Sequence, residues 1–183
     1  VLHAHVVHDY AVGFGAGRWL RLGQRRANRF KLGPEAVIDT LPGYAGSRPV
    51  RVANAANRQI QRDVFGPIAD LLAAVATVRG HVREEDWHVV EAMVQAVERR
   101  WHEPDHGIWE ARLPPRHHVY SKVMCWLTVA RALDVQAMRG VPARADWVEL
   151  RDRIRENVLA HGWNAAVGAY TVAYGDEDID ASS

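Results

Sequence analysis

Along the second two-thirds of the chain the apolar positions fall three and four residues apart, a spacing that predicts helices rather than strands. Ile60, Val64, Ile68, Leu71, Leu72, Val75 and Val78 share one helical face, and Asn54 is placed to cap its start. Pro67 interrupts that run, because it has no amide hydrogen and its ring crowds the carbonyl of Asp63, so a kink or a split is expected at Gly66-Pro67. A second helix opens on Glu84, Glu85 and Asp86, which suit the positive end of its dipole. It continues through Trp87, Val90, Val94, Val97 and Trp101, with Arg99 and Arg100 at the negative end. The third, from about Tyr120 to Met138, carries Val123, Met124, Trp126, Leu127, Ala130 and Leu133 and closes at Gly140 and Pro142. A fourth runs from about Arg144 to His161 with Trp147, Leu150, Ile154, Val158 and Leu159 turned inward and Gly162 at its C-terminal position. Ala169 to Tyr174 reads as a short extended piece. Four helices in two hairpins with hardly any strand signal give an all-α class. Their apolar faces are wider than a four-helix seam needs, and the third helix should be buried on more than one side.

Composition adds limits. The 183 residues are 48% apolar and 25% charged with a formal net charge of +1. Such a chain buries enough surface to fold, and its near-neutral charge argues against a nucleic-acid partner. The single cysteine, Cys125, cannot form an internal disulfide, so a reducing, cytoplasmic setting is the default. No membrane span and no leader peptide are expected. Residues 1–38 read as a basic extension of unassigned role, separate from a domain over 39–183. The glycines at 13, 15 and 17 lack the strand and helix that a dinucleotide loop requires, and Arg18, Arg21, Arg25, Arg26 and Arg29 suit a solvated arm. The opening Val in place of Met suggests a fragment or an unusual start.

The loop from His102 to Val119 is longer than the two to eight residues that usually join helices. It concentrates Trp109, Glu110, Arg112 and Arg116. An indole face packs against the apolar side of a sugar ring, and a carboxyl pressed against indole loses solvation, which raises its pKa toward the range of a general acid. The competing reading has Trp109 plugging the core and Glu110 paired at the surface with Arg112 or Arg116. His102, Glu103, Asp105 and His106 offer metal-ligand types but no recognised ligand spacing, so no metal is assigned. His117-His118 suits the approach to the third helix.

Three stretches taken together resemble glycoside hydrolase family 15, the bacterial glucoamylase and trehalase-like enzymes. The first is Leu41-Pro42-Gly43-Tyr44-Ala45-Gly46-Ser47-Arg48-Pro49-Val50-Arg51-Val52-Ala53-Asn54-Ala55-Ala56, continuing to Gln59, Gln61, Asp63, Val64, Phe65 and Gly66. The second is Trp101, Pro104-Asp105 and Gly107-Ile108-Trp109-Glu110-Ala111-Arg112, running through His117 to Ser121-Lys122-Val123-Met124 and Trp126. The third is Tyr174-Gly175 and Asp180-Ala181-Ser182. The resemblance implies that the hairpins form part of an (α/α)6 toroid and that terminal α-glucosidic bonds are hydrolysed with inversion, with Glu110 as general acid. Inversion requires a second carboxylate about 6.5 to 9.5 Å from the first, leaving room for water. No residue here is identified as that base, which in the family belongs to a later hairpin. The family's upstream Trp-x-Arg-Asp stretch is also missing from Val1 to Thr40. Ala53 stands where the family usually has Gly, Pro67 where an acidic residue is common, Leu113 where Gly follows the Arg, and Ala130 where Asp often precedes Arg-Ala.

The expectation is therefore part of an inverting α-glucosidase acting on an α-linked glucose disaccharide or oligosaccharide. Trp109 would pack the sugar, and Arg112, Lys122, Arg48 and Arg51 would be candidate substrate contacts. A structural role serves equally well for Arg51 and Lys122. Water is the co-substrate and no cofactor is required. The alternative is a non-catalytic helical module that binds sugar or associates with a second copy through unpaired helical faces.

Overall fold

The computed structural model describes residues 35–53, 59–109 and 112–182. The Gly13 to Gly17 run, the arginine cluster, the expected cap Asn54 and the expected acid Glu110 lie outside the described residues. The chain divides into two compact units, Val1–Gln59 and Ile60–Ser183.

In the first unit β1 (Ala36–Val37) pairs antiparallel with β2 (Arg51–Val52), Ala36 opposite Val52 and Val37 opposite Arg51. A turn at Ile38–Leu41 and a tighter one at Tyr44–Gly46 separate them. Gly43 enters that turn at φ +71°, and a side chain there would lie 1.9 Å from the Ser47 carbonyl oxygen. Ala53, just beyond β2, has φ +62°. This is the left-handed region in which the Cβ of an L-residue crowds its own backbone, so alanine is strained where glycine would not be.

The second unit carries the all-α class that the periodicity predicts. Its helices are α1 (Phe65–Arg79), α2 (Glu84–Arg100), α3 (Val119–Met138) and α4 (Ala145–His161), followed by the two-stranded hairpin of β3 (Trp163–Asn164) and β4 (Ala169–Tyr170). Helix α3 is central and packs on the other three. Trp87 of α2 meets Trp147 of α4 with ring centroids 5.6 Å apart, and the Arg139 and Arg144 guanidinium groups cover those rings at 4.8 and 4.6 Å. Glu84, Glu85 and Asp86 occupy the first turn of α2 and Arg99 and Arg100 its last, as the dipole argument requires. The turn between α3 and α4 is held by buried Gln136, which donates to the Pro142 carbonyl at 2.6 Å and accepts the Arg144 amide at 3.3 Å. None of the described helices is long and apolar enough to cross a membrane.

The structure departs from the periodic pattern at α1, α3 and α4. Helix α1 begins at Phe65, so Pro67 falls in its first turn, where an amide has no intrahelical acceptor and proline is tolerated. There is no kink at Gly66-Pro67, and Ile60 and Val64 precede the helix. The buried stripe of α1 is Phe65, Gly66, Ala69, Ala73 and Ala76, while Leu71 and Val78 of the predicted inward face are 63% and 89% exposed. Small residues let α1 and α3 approach closely: a Cβ on Gly66 would come within 2.8 Å of Met124 Sδ. On α3 the fully buried apolar side chains are likewise small, Cys125, Val129, Ala132 and Val135, and the larger Met124, Trp126 and Leu127 are only half-buried. Leu159, expected inward, is 48% exposed and edges an apolar hollow of about 410 Å³ walled also by Met124, Trp126 and Tyr170.

Candidate active site

The loop between α2 and α3 rests on a buried group of charges. Lys122, in the first turn of α3, points back at the end of α2, where its ammonium donates to the carbonyl oxygens of Trp101 and, at 2.6 Å, Glu103. The Trp101 carbonyl lies at the C-terminal cap of α2, the negative end of its dipole, which favours a cation. The residue is 2% exposed, and loss of hydration pushes its pKa down from 10.5 to about 8. Arg62, also 2% exposed, donates to the carbonyls of Pro104 at 2.7 Å and Glu103 at 3.3 Å and pairs with the Glu103 carboxylate. Asp105, equally buried, accepts the amides of Arg62 at 2.9 Å and Gly107 at 3.3 Å on its two oxygens.

Backbone pairing completes the base of the loop. Asp105 and Arg116 exchange two amide hydrogen bonds of 2.8 Å, closing a neck. Ile60 donates to His106 Nδ1 at 3.0 Å and accepts the His106 amide at 2.8 Å. Gly107 turns the chain at φ +67°, with a hypothetical Cβ 2.9 Å from the His118 ring, so no other residue fits. His118 is the N-cap residue of α3, and His117 stacks on Tyr174 at 5.8 Å, which agrees with their expected place before that helix. Burial, and then the nearby Lys122 charge, hold the His117 imidazole below its ordinary pKa.

Above the neck, Trp109 stands 59% exposed. It does not plug the core. Its indole N–H donates to Asp180 Oδ2 at 2.7 Å, and Asp180 Oδ1 accepts the amide and hydroxyl of Ser182 at 2.7 and 2.6 Å. Arg116, at the neck, is ion-paired to Asp176 at 2.7 Å and so ties the same C-terminal segment to the loop. The residues Ile60–Gly66 of the first stretch, the loop of the second and Asp180 of the third thus converge, although more than a hundred positions separate their ends.

The other sequence-predicted residues fall in different places. Arg112 is exposed on the loop. Lys122 lies beneath the loop on two carbonyls, the structural alternative named for it. Arg48 and Arg51 belong to the first unit, where Arg48 donates to the Asp39 carbonyl at 3.1 Å and Arg51 pairs with Glu35 at 3.0 Å. Among the described residues no group of three or more His, Cys, Asp or Glu side chains is arranged to hold a metal. Sequence reasoning missed Arg62 and the Trp109–Asp180 contact. The signal for Arg62 was its place between Gln61 and Asp63, directly before a proline-led helix start, where a charge is not on a helix surface.

The family model for glycosyl hydrolases family 15 matches residues 28–183. The chain belongs to this family. Among curated relatives, the trehalase of Mycobacterium tuberculosis is 40% identical over 149 residues, which cover 81% of this chain and 22% of the relative. The trehalase of Thermoplasma volcanium is 36% identical over 81% of this chain and 24% of its own length. Trehalase 1 of Sulfolobus acidocaldarius is 32% identical over 81% of this chain and 25% of its own length. The chain therefore spans about a quarter of the length of the curated relatives it matches. No solved structure matches it.

Proposed function

We propose that this family-15 chain forms part of an inverting α-glucosidase, with trehalose as the favoured substrate among α-linked glucosides. The carrying observation is Trp109: an indole held out to solvent at a fixed angle by Asp180, with Glu110 the next residue in the chain. An exposed, oriented indole is a platform for the apolar face of a glucose ring. A carboxyl adjoining indole and covered by sugar loses hydration and keeps its proton to higher pH, as a general acid must. In this reading Glu110 protonates the departing glycosidic oxygen while a water attacks the anomeric carbon from the opposite side. A second carboxylate takes the proton of that water, and neither metal nor organic cofactor is needed. The names of the relatives favour trehalose over starch ends. Arg112 is retained as a candidate hydroxyl partner. The lone buried thiol of Cys125 suits a reducing, cytoplasmic setting.

The test is glucose release from trehalose, maltose and starch. It is measured for the purified chain and for a graft in which residues 41–183 replace the matching segment of the Mycobacterium tuberculosis trehalase. Turnover of trehalose that falls by about 10² to 10⁴-fold in Glu110→Gln supports the reading. Turnover indifferent to that substitution refutes the acid assignment. Inactivity of both forms on all three sugars favours the second reading, an associating helical module, which the exposed aliphatics Leu71 and Val78 on α1 support. Sedimentation velocity at rising concentration tests that association directly.

A further inference from the structure

The charges below the loop are an expensive way to hold a protein together. Removing a charge from water costs several kcal/mol, and buried ion pairs are commonly matched in stability by apolar residues of the same volume. Here three such side chains, Lys122, Arg62 and Asp105, are each 2% exposed. Their bonds also converge on one stretch of backbone, and one of them joins it to the segment before α1. Lys122 holds the carbonyls of Trp101 and Glu103, Arg62 those of Glu103 and Pro104, and Asp105 the amides of Arg62 and Gly107. The helices have an apolar core of their own, with Ala69, Val94, Val129 and Ile154 of α1 to α4 fully buried. What they satisfy is the irregular backbone between the end of α2 and the turn at Gly107. That backbone would otherwise leave buried carbonyls and amides without partners.

We propose that Lys122, Arg62 and Asp105 act together as positioning residues: they fix the backbone of Trp101–Gly107 from beneath, and so set where Trp109 emerges toward the sugar. None of the three touches substrate. The effect passes through two rigid steps, the Asp105–Arg116 neck and the left-handed turn at Gly107, which together leave the Trp109 indole within reach of Asp180. The link to catalysis rests on the proposed function, because the loop carries Glu110 next to Trp109.

The test reads the position of the loop without requiring turnover. In the purified chain labelled with ¹⁵N at the indole nitrogens, the Trp109 resonance, assigned with Trp109→Phe, reports its hydrogen bond to Asp180. Trp87 and Trp147 report the folded bundle. Lys122→Met and Asp105→Asn should each displace or broaden the Trp109 signal while the Trp87 and Trp147 signals stay in place, and Lys122→Arg should restore it. A Trp109 signal unmoved in both variants, with only a lower Tm, makes the three residues purely structural and overturns the proposal. Where the wild-type protein or the graft releases glucose, Lys122→Met should lower kcat on the order of 10²-fold with KM changed little, as misplacement by about an ångström does. A rise in KM alone would speak against positioning. Wild-type inactivity counts against the proposed function, and the indole signals still decide this inference.

Discussion

Lys122→Met should erase an alkaline rise in stability. In the unfolded chain the lysine keeps its proton up to its ordinary pKa of 10.5, whereas burial makes the folded chain release it from about 8. Between those values the unfolded state binds more protons, so unfolding becomes less favourable as pH increases. At about 1.4 kcal/mol for each pH unit, the full interval amounts to about 3 to 4 kcal/mol. Cys125, fully buried one helical turn away, acts in the opposite sense: burial pushes its pKa from 9.0 up to about 12. From pH 9 upward the unfolded thiol ionises while the folded one does not, and stability falls. Tyr174, whose hydroxyl is raised above its usual 10.0 by burial, adds to that loss at higher pH. The wild-type chain should therefore gain stability from pH 8 to 9, level off to about 10, and then lose it. Lys122→Met should be flat to pH 9 and then decline, and Cys125→Ala should keep rising to about pH 10 from a lower start. Urea unfolding at fixed ionic strength with reductant, from pH 7 to 10.5, reads all three curves. Wild-type and Lys122→Met curves that run parallel from pH 8 to 9 would show that Lys122 keeps its proton in the folded state, and the argument from burial would fail.

Two further outcomes concern packing and backbone. Gly66→Ala places a methyl group 2.8 Å from Met124 Sδ and 3.0 Å from the Met124 carbonyl oxygen, the latter unable to move aside. It should lower stability by about 1 to 3 kcal/mol in thermal unfolding, and an unchanged Tm would mean that α1 and α3 are not in close contact. Ala53→Gly relieves a φ of +62°. A gain of about 0.5 to 1 kcal/mol, after the added freedom of glycine in the unfolded chain, should appear as slower proteolysis within residues 35–53.

Helix α2 was legible because several signals agree there: acidic residues at one end, arginines at the other and an apolar stripe between them. Helix α4 was legible on its own apolar stripe from Trp147 to Val158. Helix α1 was harder. Its large aliphatics carry the periodic pattern, yet alanines form the buried face, because close approach of two helices selects small side chains, not hydrophobic ones. Pro67 was misread for a related reason, since a proline three residues into a helix and one in its middle look alike until the start is known. At the site, Trp109 stood out by residue type and loop length. Its partner Asp180, 71 positions later, could not be found by spacing. Lys122 and Arg62 are ordinary surface residues in any one-dimensional pattern, and only the convergence of α3 with the segment before α1 takes them out of water.

The neck at Asp105 and Arg116 also bears on how such a protein can change. Two amide bonds close the base of the loop and His106 and Gly107 are fastened beside them, so alterations at the exposed residues farther out need not propagate into the helices. Selection for a different sugar could recut the exposed positions from Arg112 to Pro115 while the foundation, with its costly ions, stays as it is.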